Sequence, residues 1–256
     1  MDDVLRVESI SLAFGGLSVF SEVSFEVRPG ELVALIGPNG AGKTSVLNCI
    51  GGLYRPGAGA INFGSERLMG RKPHQIAALG VARTFQHAEL IAHMNVVDNL
   101  LVGRHRSIAT SFLGEALYSP RTRRLEEEHR RAVEEVIEFV ELERHRHAMV
   151  DSLSFGLQKV IGFARALVMQ PRLLLLDEPS AGLNREEKED LARFILRAKH
   201  EKRPAMLWVE HDMQMVADLA DRIVVLNYGE LLADGAPADV LADPRVIAAY
   251  LGSQPA

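Results

Sequence analysis

Leu32-Val33-Ala34-Leu35-Ile36 runs directly into Gly37-Pro38-Asn39-Gly40-Ala41-Gly42-Lys43-Thr44-Ser45, and this stretch decides the fold. Five apolar residues make a short buried strand. The pattern G-x-x-x-x-G-K-[ST] follows, and then a helix over roughly Thr44 to Ile50. Glycines at 37, 40 and 42 let backbone N–H groups converge on phosphate oxygens. Lys43 adds a point charge at the β- and γ-phosphates, and Thr44 offers a hydroxyl to Mg²⁺. The helix directs the positive end of its dipole at the anion. Strand, loop and helix in that order imply a nucleoside triphosphate site formed by Gly37, Asn39, Gly40, Gly42, Lys43, Thr44 and Ser45.

Composition bounds the rest. The chain has 256 residues, 47% hydrophobic and 25% charged, as in an ordinary globular protein. Its 29 basic and 34 acidic residues give a net charge of −5, which offers no electrostatic footprint for nucleic acid. A single cysteine, Cys49, excludes a disulfide framework and points to a reducing compartment; its helix position suits a buried thiol. Met1 to Arg6 does not read as a secretory leader. No apolar run approaches the roughly 18 residues needed to cross a bilayer, so work at a membrane would require another chain to span it.

Outward from the loop, Val4 to Phe25 reads as two strands around Gly15-Gly16, in antiparallel pairing. Ala60 to Phe63 reads as a short strand. From Gly70 to about Val150 the pattern is helical, with no strand expected. Thr122 to His147 in particular places Leu125, His129, Ala132, Val133, Val136, Ile137 and Val140 on one face. Arg144-His145-Arg146-His147 is read as the solvated end of that helix, and Trp208 as core. Beyond Pro171 strands and helices alternate. Arg172–Leu176, Ala205–Glu210, Arg222–Leu226 and Glu230–Ala233 read as strands. Arg185–Lys202, with Asn184 as N-cap, and Met213–Leu219 read as helices. Two short helices starting near Pro237 and Pro244 close the chain. Alternation after a phosphate loop implies a parallel sheet covered on both faces.

Two further segments carry chemistry. Leu173 to Leu176 runs into Asp177 and Glu178. At the carboxyl edge of a parallel sheet such a pair suits a metal-holding carboxylate and a general base for water. Leu153-Ser154-Phe155-Gly156-Leu157-Gln158 opens a helix with Ser and Gly, an arrangement that binds anions. Taken alone, His211 would be an ordinary polar residue and Phe14 a packing residue.

Together these segments resemble the ATP-binding cassette ATPases over nearly the whole chain. Gly37–Ser45 resembles their Walker A motif and Leu173–Glu178 their Walker B. Residues 153 to 158 resemble the signature, and Ser180-Ala181-Gly182-Leu183-Asn184 the loop that communicates across the dimer. His211 resembles the switch histidine. Gln86, in Arg83-Thr84-Phe85-Gln86, resembles the glutamine that links the metal site to the helical subdomain. Phe14 sits where the family stacks an aromatic ring on adenine. Phe155 and Leu157 depart from the commonest signature, Leu-Ser-Gly-Gly-Gln, while Ser154 and Gly156 are kept; Asn184 replaces the usual Asp.

The resemblance implies an α/β P-loop NTPase core with a mostly parallel sheet, an N-terminal antiparallel β subdomain and an inserted α-helical subdomain. One nucleotide-binding domain would cover 1–252. Residues 1–86 and 171–252 would form the ATP-binding core, 87–170 the helical subdomain, and 253–256 a tail. ATP and Mg²⁺ are the implied ligands. Glu178, His211 and Gln86 are the implied catalytic residues, with Thr44, Gln86 and Asp177 at the metal and Ser154 and Gly156 at a nucleotide in trans. Implied partners are a second ATPase subunit (self or paralogue), transmembrane permease subunits and, through them, a solute-binding protein, with no nucleic acid. The implied location is the cytoplasmic face of the inner (plasma) membrane.

Within the family, Val81–His87, Val225–Gly229, Ala248–Gly252 and the stretch from about Arg104 to Arg123 resemble the larger ATPase of branched-chain amino acid importers. Amide, urea and aromatic-acid importers share many of these features. A soluble cassette ATPase of iron–sulfur scaffold type is the alternative of another class.

Overall fold

A computed structural model describes residues 3–84, 89–104 and 120–251. Two sheets form it. The chain opens with the antiparallel hairpin β1 (Leu5–Phe14) and β2 (Leu17–Val27), turning at Gly15-Gly16 as expected. Strand β3 (Leu32–Ile36) leads through the glycine loop into α1 (Lys43–Ile50). Then come β4 (Ala58–Phe63), β5 (Glu66–Arg67), α2 (Pro73–Ala78), β6 (Val81–Thr84), α3 (Val96–Arg104) and α4 (Pro120–Phe139). Next are α5 (Phe155–Leu167), β7 (Leu173–Asp177), α6 (Arg185–Glu201), β8 (Ala205–Val209) and α7 (Met213–Leu219). The chain closes with β9 (Arg222–Asn227), β10 (Glu230–Gly235), α8 (Pro237–Leu241) and α9 (Pro244–Leu251).

The smaller sheet has order β2-β1-β4-β5 and is antiparallel. The larger has order β10-β9-β3-β8-β7-β6, parallel except for β10 at its edge. Strand periodicity explains how the larger sheet is covered. Leu32, Ala34 and Ile36 of β3 face one core; Val33 and Leu35 face the other. Strands β7, β8 and β9 alternate the same way, with Leu174, Leu176, Met206, Trp208, Ile223 and Val225 on the first side. Helices α3 to α7 pack on that side, whereas α1 and the antiparallel sheet pack on the other. Trp208 is fully buried, as the sequence reading has it. Because all five parallel strands run one way, their carboxyl ends share an edge, where ligands of open α/β sheets bind.

Two expectations need correction. Val81–Thr84 lies in the segment read as helical but is strand β6, paired parallel with Leu173–Leu176. Four residues are too few to show a period, and the pairing with β7 is long-range. The helix read to His147 ends at Phe139. Glu141 takes a left-handed φ of 58°. The Leu142 amide then bonds the Ile137 carbonyl at 2.9 Å and the Glu141 amide bonds Glu138 at 3.3 Å, closing a Schellman motif without glycine. Arg193 of α6 binds the Glu141 carboxylate, and Arg197 donates to the Phe139 carbonyl at 3.0 Å. Tertiary contacts therefore stop this helix. Arg144 to His147 consequently lies beyond it, with Glu143–His145 in a 3-10 turn. The apolar face from His129 to Val140 is buried as expected. Gln86, most of the stretch from Arg104 to Arg123, Gly252 and the tail 253–256 lie outside the described residues.

Candidate active site

Strand β3 is buried along its whole length, and the glycine loop leaves its carboxyl end beside β9. Gly37 has φ 149°, and a Cβ there would overlap the Leu226 carbonyl oxygen of β9. Gly42, at φ 96°, caps α1 and lies against Val19 and Phe20 of β2. Lys43 is buried; its Nζ donates to the carbonyls of Gly37 at 2.7 Å and Pro38 at 2.9 Å. Burial pushes the Lys43 ammonium below its ordinary value, opposed by the charge of Glu178. Val19, Asn39, Gly40, Gly42, Lys43, Thr44, Ser45, Glu178 and His211 line one cavity of about 330 Å³. Elements distant in sequence thus meet at one cavity.

Asp177 ends β7 and is buried. Its Oδ2 accepts from Arg83 of β6 at 2.6 Å, and Arg83 also donates to Asn48 of α1 at 2.7 Å. Glu178 follows in a left-handed conformation, φ 44°, unusual for a residue with a Cβ. Its amide still bonds Val209 at 2.9 Å, so the pairing with β8 holds it. Its Oε1 lies 2.8 Å from Nε2 of His211, which follows the end of β8. The carboxylate that would activate water and the histidine are therefore one hydrogen-bonded pair.

Ser154 caps α5, its hydroxyl accepting from the Leu157 amide at 3.3 Å. Phe155 is half exposed, and a Cβ on Gly182 would lie 2.9 Å from its ring. A Cβ on Gly156 would overlap the carboxylate of Glu187, which the capping box at Asn184 holds in place. The start of the signature helix therefore rests on the Ser180–Asn184 loop of its own chain. Ser154 itself is exposed and is not among the residues lining the cavity at the glycine loop.

Phe14 ends β1, half exposed rather than core, with its ring edge-on to Tyr54 at 5.2 Å. Cys49 is buried, and burial pushes its thiol up to about 12. Tyr250 of α9 packs against the core, and burial pushes its hydroxyl up to about 12, opposed by the Gly37 backbone. Helix α9 thus reaches the start of the glycine loop.

Several residues at this edge escaped the sequence reading as site residues: Arg83, Lys159, Ser180 and Glu210. Lys159 interrupts an apolar helix face and is buried; its Nζ donates to the Glu178 carbonyl at 3.4 Å. Burial pushes its ammonium down, opposed by Glu210, Glu178 and Asp177. A buried lysine between apolar neighbours was the available signal.

With this geometry in hand, comparison with known proteins is informative. A family model described as ABC transporter matches residues 20–181. One described as branched-chain amino acid ATP-binding cassette transporter matches 230–256. The high-affinity branched-chain amino acid transport ATP-binding protein BraF of Pseudomonas aeruginosa is 41% identical over 97% of this chain and 98% of its own length. LivG of Escherichia coli, named in the same words, has the same identity and coverage. Among solved structures, the ADP conformation of an ATP-binding cassette of an ABC transporter aligns with TM-score 0.85 at 30% identity. That alignment covers 99% of this chain and 100% of the other. A nucleotide-free cassette from an ABC transporter gives TM-score 0.84, also at 30% identity.

Proposed function

Since this chain belongs to the ABC transporter family, and is an ATPase of it, we propose that it powers a multi-subunit importer of branched-chain or related amino acids. The observation that carries the hydrolytic part is the Glu178–His211 pair facing the glycine loop across one cavity. The substrate class is supported by the names of BraF and LivG and by the match over 230–256.

In this reading the glycine loop and Lys43 bind the β- and γ-phosphates. Asn39, Gly40 and Gly42 direct backbone N–H groups there. Glu178 accepts the proton of the attacking water, and His211 orients Glu178 and contacts the γ-phosphate. Thr44 and Asp177 provide the hard oxygen donors that suit Mg²⁺, so the chemistry of the donor set fits, with Oδ2 of Asp177 also accepting from Arg83. When bound, the ion would neutralise charge developing on the phosphates. Gln86 is the third residue proposed at that ion. Phe14, at an exposed strand end, is proposed to stack on adenine.

The exposure of Ser154 and Phe155 at the start of α5 supports a head-to-tail pairing with a second ATPase, self or paralogue, in which each signature completes the other's site. Residues 87–170 are proposed as the helical arm that moves with closure; binding ATP then favours the closed population by its differential affinity for it. No helix of the described residues is long and apolar enough to cross a membrane. Permease subunits are therefore proposed to hold the chain at the cytoplasmic face, with a solute-binding protein delivering cargo. Of Leu90, Ile91, Met94, Val96 and Val97, proposed here as a surface for a permease helix, Ile91 and Met94 are exposed, whereas Val96 is buried and Leu90 and Val97 pack on the core. That leaves Ile91 and Met94 as the contact candidates.

Co-purification tests the transport reading. The tagged chain should bring down a multi-span membrane protein. ATP turnover of the reconstituted complex should rise with an amino-acid-loaded binding protein, while the isolated chain ignores free amino acids. Capture of a soluble scaffold instead, or direct stimulation of the isolated chain by a small solute, would overturn it.

A further inference from the structure

Glu210 is among the most deeply buried charged residues of the described chain, 2% exposed, yet no step above uses it. It follows β8 directly and sits between two loops. Its Oε2 accepts from the Ser180 hydroxyl at 2.6 Å. Its Oε1 accepts from the amides of His211 at 2.7 Å and Asp212 at 3.3 Å. Ser180 stands two residues after Glu178, and His211 one residue after Glu210. One carboxylate therefore fixes the loop leaving the general base and the backbone carrying the histidine. Three donors on an acceptor-only group at these distances make a rigid joint, because a buried donor left unpaired is costly.

The joint has a second input. Lys159, five positions after Ser154 on the signature helix, reaches into the same interior, onto the Glu178 carbonyl, with its ammonium 5.5 Å from the Phe155 ring centroid. Phe155 rests on Gly182, and Gly156 on Glu187, both just beyond Ser180. Buried charges persist in pairs or networks; Lys159 supplies the positive charge on this side and Glu210 a negative one. The helix start that leaves Ser154 and Phe155 exposed is thus built onto the loop that Glu210 anchors.

We propose that Glu210 is a positioning residue for hydrolysis. It locks the Ser180 loop to the His211 backbone and, with Lys159, transmits displacement of the signature helix to the Glu178–His211 pair of the same subunit. This rests on the reading of Glu178 and His211 as the hydrolytic pair. Signature contact with nucleotide in the partner's site would then set the geometry of this subunit's own site, through side chains within one chain.

The test uses the reconstituted complex with MgATP for kcat and KM, and the isolated full chain for equilibrium ATP affinity. Glu210→Gln keeps the shape and removes the charge. It should lower kcat by about tenfold, with ATP affinity and KM within about twofold of the parent. Ser180→Ala should lower kcat in the same direction by less, and Ser180→Thr, which restores a hydroxyl, should recover it. Lys159→Met should also slow turnover, and combined with Glu210→Gln it should cost less than the product of the two single effects. Unchanged kcat in Glu210→Gln, a parallel loss of ATP affinity, or strictly multiplicative effects of the two changes would each overturn the proposal. If Glu210→Gln does not fold, the Ser180 pair decides it: no loss in Ala, or no recovery in Thr, overturns it. Glu178→Gln run alongside separates the two readings. Normal turnover there sinks the hydrolytic pair itself, whereas an inactive Glu178→Gln beside a normal Glu210→Gln sinks only the joint.

Discussion

Two helix starts in this molecule carry Gly and a residue proposed to meet phosphate, and they are built in opposite ways. The phosphate loop is closed from behind. Gly37 touches the β9 backbone, Gly42 the β2 hairpin, and Lys43 is buried among carbonyls of its own loop. The signature helix start is open in front: Ser154 and Phe155 are exposed, and their support is the chain's own Ser180–Asn184 loop and α6. One is packed on three sides by its own chain, and the other leaves Ser154 and Phe155 exposed, as the proposed contact with a nucleotide in trans requires. The difference teaches that a single chain should hold nucleotide but hydrolyse it poorly. Changes at the two starts should therefore separate affinity from turnover.

The largest effect is expected at the closed start. Lys43→Ala removes the buried cation facing the phosphates and should weaken ATP affinity of the isolated chain on the order of 10²-fold to 10³-fold. Circular dichroism should stay unchanged. An equilibrium titration with unchanged affinity would break the comparison at its stronger side. Glu178→Gln comes next: it should keep ATP binding and lower turnover ~10²-fold or more, as loss of a general base does. If this chain pairs with itself, ATP should then hold a dimer in sizing chromatography. Near-normal hydrolysis would remove Glu178 from its role.

Ser154→Ala probes the open start directly. Losing the cap should cost about 1 kcal/mol of stability, read as a lower urea midpoint. ATP affinity of the isolated chain should not change, because Ser154 stands outside the residues lining its own phosphate cavity. A matching loss of affinity would mean that the signature serves the nucleotide of its own subunit.

The same contrast explains what the sequence could show. Local patterns were legible: strand β3 into the loop, Asn184 capping α6, and Met213–Leu219 as a helix. Features imposed by distant contacts were not. Strand β6 exists because β7 pairs with it, and α4 stops because Arg193 holds a left-handed Glu141 and Arg197 the Phe139 carbonyl. In the site, Glu178 and His211 were readable by motif, but their 2.8 Å contact needs β7 and β8 side by side. Arg83 and Ser180 stood inside motifs and Lys159 interrupts an apolar helix face, but only the sheet order shows that they and Glu210 meet at one edge.

The smallest effect is expected at Leu157, where the open start departs furthest from the common signature. Leu157 is half-buried and packs against the core shared by α3 to α7. Replacing it with Gln would put a polar amide where an apolar side chain is partly removed from water, losing on the order of 1 kcal/mol. The possible gain is one hydrogen bond to a nucleotide in trans, worth a similar amount. These offset each other, and Phe155 lying over Gly182 shows that the neighbouring position already packs on the chain's own loop rather than leaving room for a glycine there. Leu157→Gln should therefore leave ATP affinity unchanged and turnover of the assembled complex equal or slightly lower. A several-fold rise in turnover would show that the open start lacks a ligand contact which the common signature supplies.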